Sequence, residues 1–138
     1  MKTVGMIIIL LAGLLLSANG AKLAPDSSFN SFLERFLSDK QFQMDRIKLP
    51  LIAQLGHQGA GKVRVERWSR KQLKKNLSLP LSKRELAKEG MKQSLRKLSD
   101  SRTEVFQYKP ESDSYLVTYR FEKIRGNWYL TLYKDESL

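Results

Sequence analysis

The string GHQGAGKV, residues 56 to 63, places Gly56, Gly61 and Lys62 at the G-x-x-x-x-G-K spacing of a phosphate-cradling loop. That chemistry needs a buried strand before the loop, a hydroxyl after the lysine to hold magnesium, and a helix whose N-terminal amides face the phosphates. Val63 stands at the hydroxyl position, and VRVERW, residues 63–68, alternates as a strand does. The three glycines of the loop therefore read as turn residues able to adopt positive φ, and no nucleotide is expected. His57 lies in the same loop and is the single histidine of a chain without cysteine. A zinc site or a thiol nucleophile has no second member, and a Ser-His-Asp triad would have to use this one residue. No cofactor or metal is expected, and no residue is singled out as catalytic.

Basic side chains are the other chemical resource. The 138 residues carry a formal charge of +11, and from Lys62 to Lys97 there are 13 Lys and Arg against Glu66, Glu85 and Glu89. That stretch alone is +10, so the remainder is close to neutral. Arg64, Arg67, Arg70, Lys71, Lys74 and Lys75 surround Trp68, and Arg84, Lys88, Lys92 and Arg96 recur at every fourth residue. On a helix this second set would form one stripe, at a cost of a few tenths of a kcal/mol per like-charged pair. Two readings stand open: a solvated face that keeps a small protein soluble, or a contact surface for an anionic partner. The anionic partners considered are a lipid headgroup, an acidic glycan or another exported protein. A lone tryptophan is a poor stacking platform, so specific nucleic-acid recognition is not expected.

These residues sit in a chain that opens MKTVGMIIILLAGLLLSANGAKLAPDSS: a lysine, an apolar run from Val4 to Leu16, then small and polar residues. This is the layout of a secretory signal peptide, and the run falls short of the ~20 residues a spanning helix needs. Ala18 and Gly20 suit cleavage before Ala21, leaving one domain of 118 residues at 21–138. Without cysteine, lipid anchoring and disulfides are excluded. A periplasmic or extracellular location is expected.

Within that domain, Phe29, Phe32, Leu33, Phe36 and Leu37 mark a helix that Asp26, Ser27 or Ser28 can cap, and a helical turn through Phe42 and Met44 follows. IKLPLIAQL, residues 47–55, sets Ile47, Leu49, Leu51, Ala53 and Leu55 on one strand face. A hairpin pairing Leu55 with Val63 and Ala53 with Val65 brings two apolar faces together. KQLKKNLSL reads as a short helix or a loop. Ser82 and Glu85 form a capping box for a helix to about Leu98, with Ala87, Met91, Leu95 and Leu98 inward. TEVFQYK, SYLVTYRFEKI and GNWYLTLYK then make an antiparallel meander of at least three strands. A turn at Arg125 and Gly126 pairs Phe121 with Leu130 and Tyr119 with Leu132.

The phenylalanine-rich first helix, FQMDRIKLPL at 42–51 and FEKIRGNWYLTLYKD at 121–135 resemble exported bacterial proteins of unknown function with a nuclear transport factor 2-like, cystatin-like α+β roll. The resemblance implies helices packed on a curved antiparallel sheet around a conical pocket. It implies no single activity, since the fold hosts isomerases, dehydratases and binding modules alike. In such a pocket a carboxylate and a tyrosine can move a proton; the candidates are Asp39 or Asp45 with Tyr108, Tyr119 or Tyr129. The favoured expectation is an exported binding module whose basic segment makes the contact. The alternative is a pocket enzyme of the isomerase or hydratase type.

Overall fold

The computed structural model of the protein describes residues 26–56, 61–112 and 114–137. The expected signal peptide and His57 lie outside the described residues. Helix α1 (Phe29–Ser38) begins where Ser28 Oγ accepts the Ser31 N–H, which satisfies one of the free amides of the first turn. Its stripe of Phe32, Leu33 and Phe36 is buried. Asp39 ends α1 and caps the next helix, α2 (Lys40–Asp45), by accepting the Phe42 N–H.

Among the described residues six strands form one sheet: β1 (Ile47–Leu55), β2 (Arg64–Trp68), β3 (Lys92–Ser99), β4 (Arg102–Tyr108), β5 (Leu116–Ile124) and β6 (Asn127–Asp135). Their order is β2-β1-β6-β5-β4-β3. Every pairing is antiparallel except β1 with β6, which run parallel. The sheet is therefore mixed, a four-stranded meander extended by the β1–β2 hairpin. Helix α1 lies on its inner face, where Phe29, Phe32 and Phe36 meet the fully buried Phe121 edge-on at 5.7, 5.5 and 5.1 Å. Pairs of this geometry add ~0.5–1.5 kcal/mol each beyond the area they bury. Asp26 fastens the start of α1 to β6: its carboxylate accepts from Arg46 Nη1 at 2.7 Å and from the Trp128 N–H at 2.8 Å.

Three expectations are corrected. First, β1 and β2 pair one residue out of the expected register, Leu55 with Arg64, Ala53 with Glu66 and Leu51 with Trp68. Val63 and Val65 are odd-numbered and Trp68 even, so the two sets cannot share a face. Burying the indole, 2% exposed, leaves Val65 62% exposed; the larger apolar surface decides the register. Leu49 also turns outward, where the β1–β6 pairing shifts between Ile47 and Ile52 beside Pro50, which has no N–H to give the ladder.

Second, the helix opened by Ser82 and Glu85 stops early. The capping box is present, but α4 (Lys83–Lys88) has six residues, after a separate helix α3 (Arg70–Asn76) with its own Ser69/Gln72 capping box. Gly90 at φ 66° takes the left-handed conformation that ends helices, and the chain continues as edge strand β3. Met91 is buried, whereas Ala87, Leu95 and Leu98 are exposed. Third, Arg125 and Gly126 form the last turn and Phe121 pairs with Leu130, but a bulge between Arg120 and Phe121 sets Tyr119 opposite Tyr133 instead of Leu132.

Candidate functional site

The pairing brings the ends of β1, β4 and β6 and the starts of β2, β3 and β5 to one end of the sheet. Across that end lies a groove of about 430 Å³, bounded by Arg64, Glu66 and Trp68 of β2, Lys75 of α3, and Tyr133 and Asp135 of β6. Aromatic side chains fill the inner face beneath α1, and a smaller cavity of about 290 Å³ opens between α1 and β3. Ser78 roofs the groove and is held from below: Tyr119 Oη donates to its carbonyl at 2.6 Å. The same loop is pinned by the fully buried Gln107, whose amide accepts from the Leu81 N–H and donates to the Leu81 carbonyl, both at 2.9 Å.

Three phenols meet beneath this roof. Burial, reinforced by the Asp135 carboxylate, pushes Tyr115 up, Tyr119 well up and Tyr133 up to about 12. All three keep their protons at neutral pH. Tyr133 Oη donates to Asp135 at 3.3 Å, and the Ser137 N–H donates to the other oxygen of that carboxylate at 2.9 Å. The carboxylate–tyrosine pair that the fold brings together is thus Tyr133 with Asp135, two residues apart on one face of β6, and not the pairs expected. Asp39 caps α2 and meets Arg35 at 3.7 Å, and Asp45 accepts from Gln41. Tyr129 lies under the Arg46 guanidinium, and Tyr119 is spent on Ser78.

The basic residues divide into two groups. Arg64 donates to Glu66 at 2.7 Å, and so does the buried indole of Trp68. The hydrogen bond from Trp68, joined by the Arg64 contacts, holds the Glu66 carboxyl below its ordinary value. Trp68 packs on Tyr133, 5.4 Å between ring centres, and is no exposed platform. Arg84 and Lys88 lie on α4, Lys92 and Arg96 on β3, so the expected stripe of four does not exist. Arg96 also pairs with Glu104 at 2.6 Å. By contrast, Arg67 on β2 and Arg70, Lys71, Lys74 and Lys75 on α3 are exposed, and among the described residues none has an acidic partner within 4.0 Å. Leu73 is the only side chain that α3 buries. Gly56 and Gly61, the expected turn residues, have φ of 130° and 109°, and a strand follows the loop.

Gln107 and Asp135 were not among the sequence candidates. A glutamine at an inward position of TEVFQYK and the Tyr-x-Asp spacing at the end of the last strand were the available signals.

A family model whose description reads only "-like" matches residues 27–136. No curated protein matches the chain. Among solved structures, a nuclear transport factor 2-like protein from Bacteroides fragilis NCTC 9343 is similar at 15% identity with a TM-score of 0.59, covering 82% of this chain and 48% of that one. This chain thus spans about half the length of that protein, and the likeness speaks for the fold alone. A protein of unknown function with a cystatin-like fold from Nostoc punctiforme PCC 73102 matches at 15% identity and a TM-score of 0.38, over 96% of both chains. A nuclear transport factor 2-like protein of unknown function from Shewanella oneidensis MR-1 matches at 16% and 0.39, over 87% of this chain and 98% of that one. The likeness to the Bacteroides fragilis structure shows a nuclear transport factor 2-like α+β fold, and the family model runs from the cap of α1 to just beyond β6, so the chain belongs to the family it describes.

Proposed function

We propose that the protein is an exported binding module that takes an anionic partner through α3 and the adjoining rim groove. The observation that carries this reading is the set of Arg67, Arg70, Lys71, Lys74 and Lys75: five exposed cations on one short helix and the strand before it, without acidic partners among the described residues. Structural ion pairs consume cations elsewhere, at Arg96, Arg102 and Arg120. Here like charges stand together with no ion pair among the described residues, which suits a surface that an anion completes. Lys75 belongs to both the helix and the groove, so a partner on the helix reaches the rim. The opening residues 1–20 support export by their composition.

Binding of the purified protein to an acidic polysaccharide and to anionic and neutral vesicles, at low and physiological salt, tests the reading. Changing Arg70, Lys71, Lys74 and Lys75 together to Gln is expected to weaken anion binding at physiological salt by about fourfold or more, at ~0.2–1 kcal/mol per exposed charge. Binding that disappears at modest salt, or that ignores these substitutions, would return the charge to a role in solubility.

A further inference from the structure

The two edges of the sheet differ. Strand β2 has five residues and runs directly into α3, and a short edge is one of the guards against unwanted strand pairing. Strand β3 has eight residues, is exposed along almost its whole length, and among the described residues has no strand on its outer side. Beside it opens the cavity between α1 and β3, whose apolar walls are Leu33, Leu37 and the 47% exposed Leu95. Glu34 and Lys83 line the same cavity, and neither has an ion-pair partner within 4.0 Å among the described residues.

Basic residues normally keep an edge from pairing, and β3 carries Lys92, Arg96 and Lys97. Their spacing decides which pairings they exclude. Opposite residues of an antiparallel pair share a face, so two identical strands related by a two-fold axis set one residue opposite its own copy. Of the axes that pair more than half of β3, one at Ser94 sets Lys92 against Arg96, and one at Arg96 or Lys97 sets that cation against itself. An axis at Leu95 sets Leu95 against Leu95, Ser94 against Arg96, Gln93 against Lys97 and Lys92 against Leu98, with no like charges opposed. Gln93, Leu95 and Lys97 stand opposite Gln107, Val105 and Thr103 of β4, and Thr103 stands opposite Phe121, which meets α1. All three therefore face the α1 side. The Leu95 axis carries Lys97 of the second copy beside Gln93, to the mouth of the cavity where Glu34 stands.

We propose that the protein self-associates through β3, two copies joining antiparallel about a two-fold axis at Leu95 into one continuous sheet. The two Leu95 side chains meet beside the apolar walls of both cavities. Lys97 of each copy exchanges the fully exposed Asp100 for Glu34 of the other, and exposed ion pairs contribute little, so the exchange is nearly neutral. On the outer face each Arg96 stays bound to its own Glu104. The inference does not rest on the anionic-partner reading, because α3 packs on β1 and β2 at the opposite edge and stays uncovered.

The chain has no cysteine, so single cysteines report the register. Under mild oxidation Leu95→Cys is expected to form a symmetric disulfide readily, and Ser94→Cys, Lys97→Cys and Val65→Cys on the other edge much less, because residue 95 alone stands opposite itself. Sedimentation equilibrium of the purified protein should show monomer and dimer, and Leu95→Lys, which opposes two lysines at an exposed position, should weaken the dimer by about fivefold. Glu34→Lys and Lys97→Glu should each weaken it by about two- to threefold and restore it when combined. Circular dichroism of each variant separates loss of the dimer from loss of the fold. A protein that stays monomeric up to about 500 µM overturns the proposal and leaves the edge to a different strand. A dimer indifferent to Leu95→Lys, or one that cross-links as fast through Val65→Cys as through Leu95→Cys, overturns it as well.

Discussion

Glu104 shows how single residues divide the charge of this protein. Its side chain, 5% exposed, lies on the sheet between Arg96 at 2.6 Å and Arg120 at 3.0 Å. Burial alone would raise the carboxyl, but the hydrogen bonds and charges of the two guanidiniums outweigh it and hold the group below its ordinary value. A carboxyl depressed in the folded state adds stability that is complete above the unfolded value of about 4.3 and is lost as pH falls through the folded one. In urea titrations from pH 6 downward, the wild type is therefore expected to lose more stability than Glu104→Gln, the gap between them closing below pH 4. Parallel curves would mean that the cluster contributes no acid sensitivity. The same pairing explains why Arg96 could not be assigned from sequence: nothing in the spacing of Arg96, Glu104 and Arg120 reveals that three strands set them side by side.

Elements were legible where one face of them is buried. Helix α1 and strands β5 and β6 carry large apolar residues at periods that only one structure satisfies, and all three appear where expected. Edge strand β3 carries no such pattern. Its burial is almost nil along all eight residues, and Met91, Leu95 and Leu98 happen to recur at helical spacing, so the helical reading met no contradiction until Gly90. The β1–β2 register failed for a related reason, because two valines and one tryptophan compete for the same face. At the last turn the sequence was informative and the chemistry is imperfect. Arg125 holds φ at 52° and Gly126 at 84°, the conformation in which glycine, asparagine and aspartate are favoured and a long side chain is strained. Arg125→Asn is expected to raise the urea midpoint, by about 0.5 kcal/mol in stability, with the sheet unchanged. A lower midpoint would show that the arginine makes a compensating contact.

For the whole molecule, the candidate site depends on an end of the sheet to which all six strands contribute, which is why local motifs pointed to its cations and missed its acids and its roof. The strand order carries a further consequence. Among the described residues the last strand in chain order, β6, is third in a sheet of six, with β1 on one side and β5 on the other. It also supplies Trp128 and Leu130 beneath α1. A chain cut before Asn127 would lack the middle of the sheet and not an edge, so it is expected to show no cooperative unfolding by circular dichroism, whereas loss of edge strand β3 leaves five strands contiguous. During synthesis the β1–β2 hairpin must consequently wait, unpaired on its β6 side, until β6 emerges. Such contacts between distant parts of a chain form late, so the hairpin and the meander stay separate pieces until β6 lies between them.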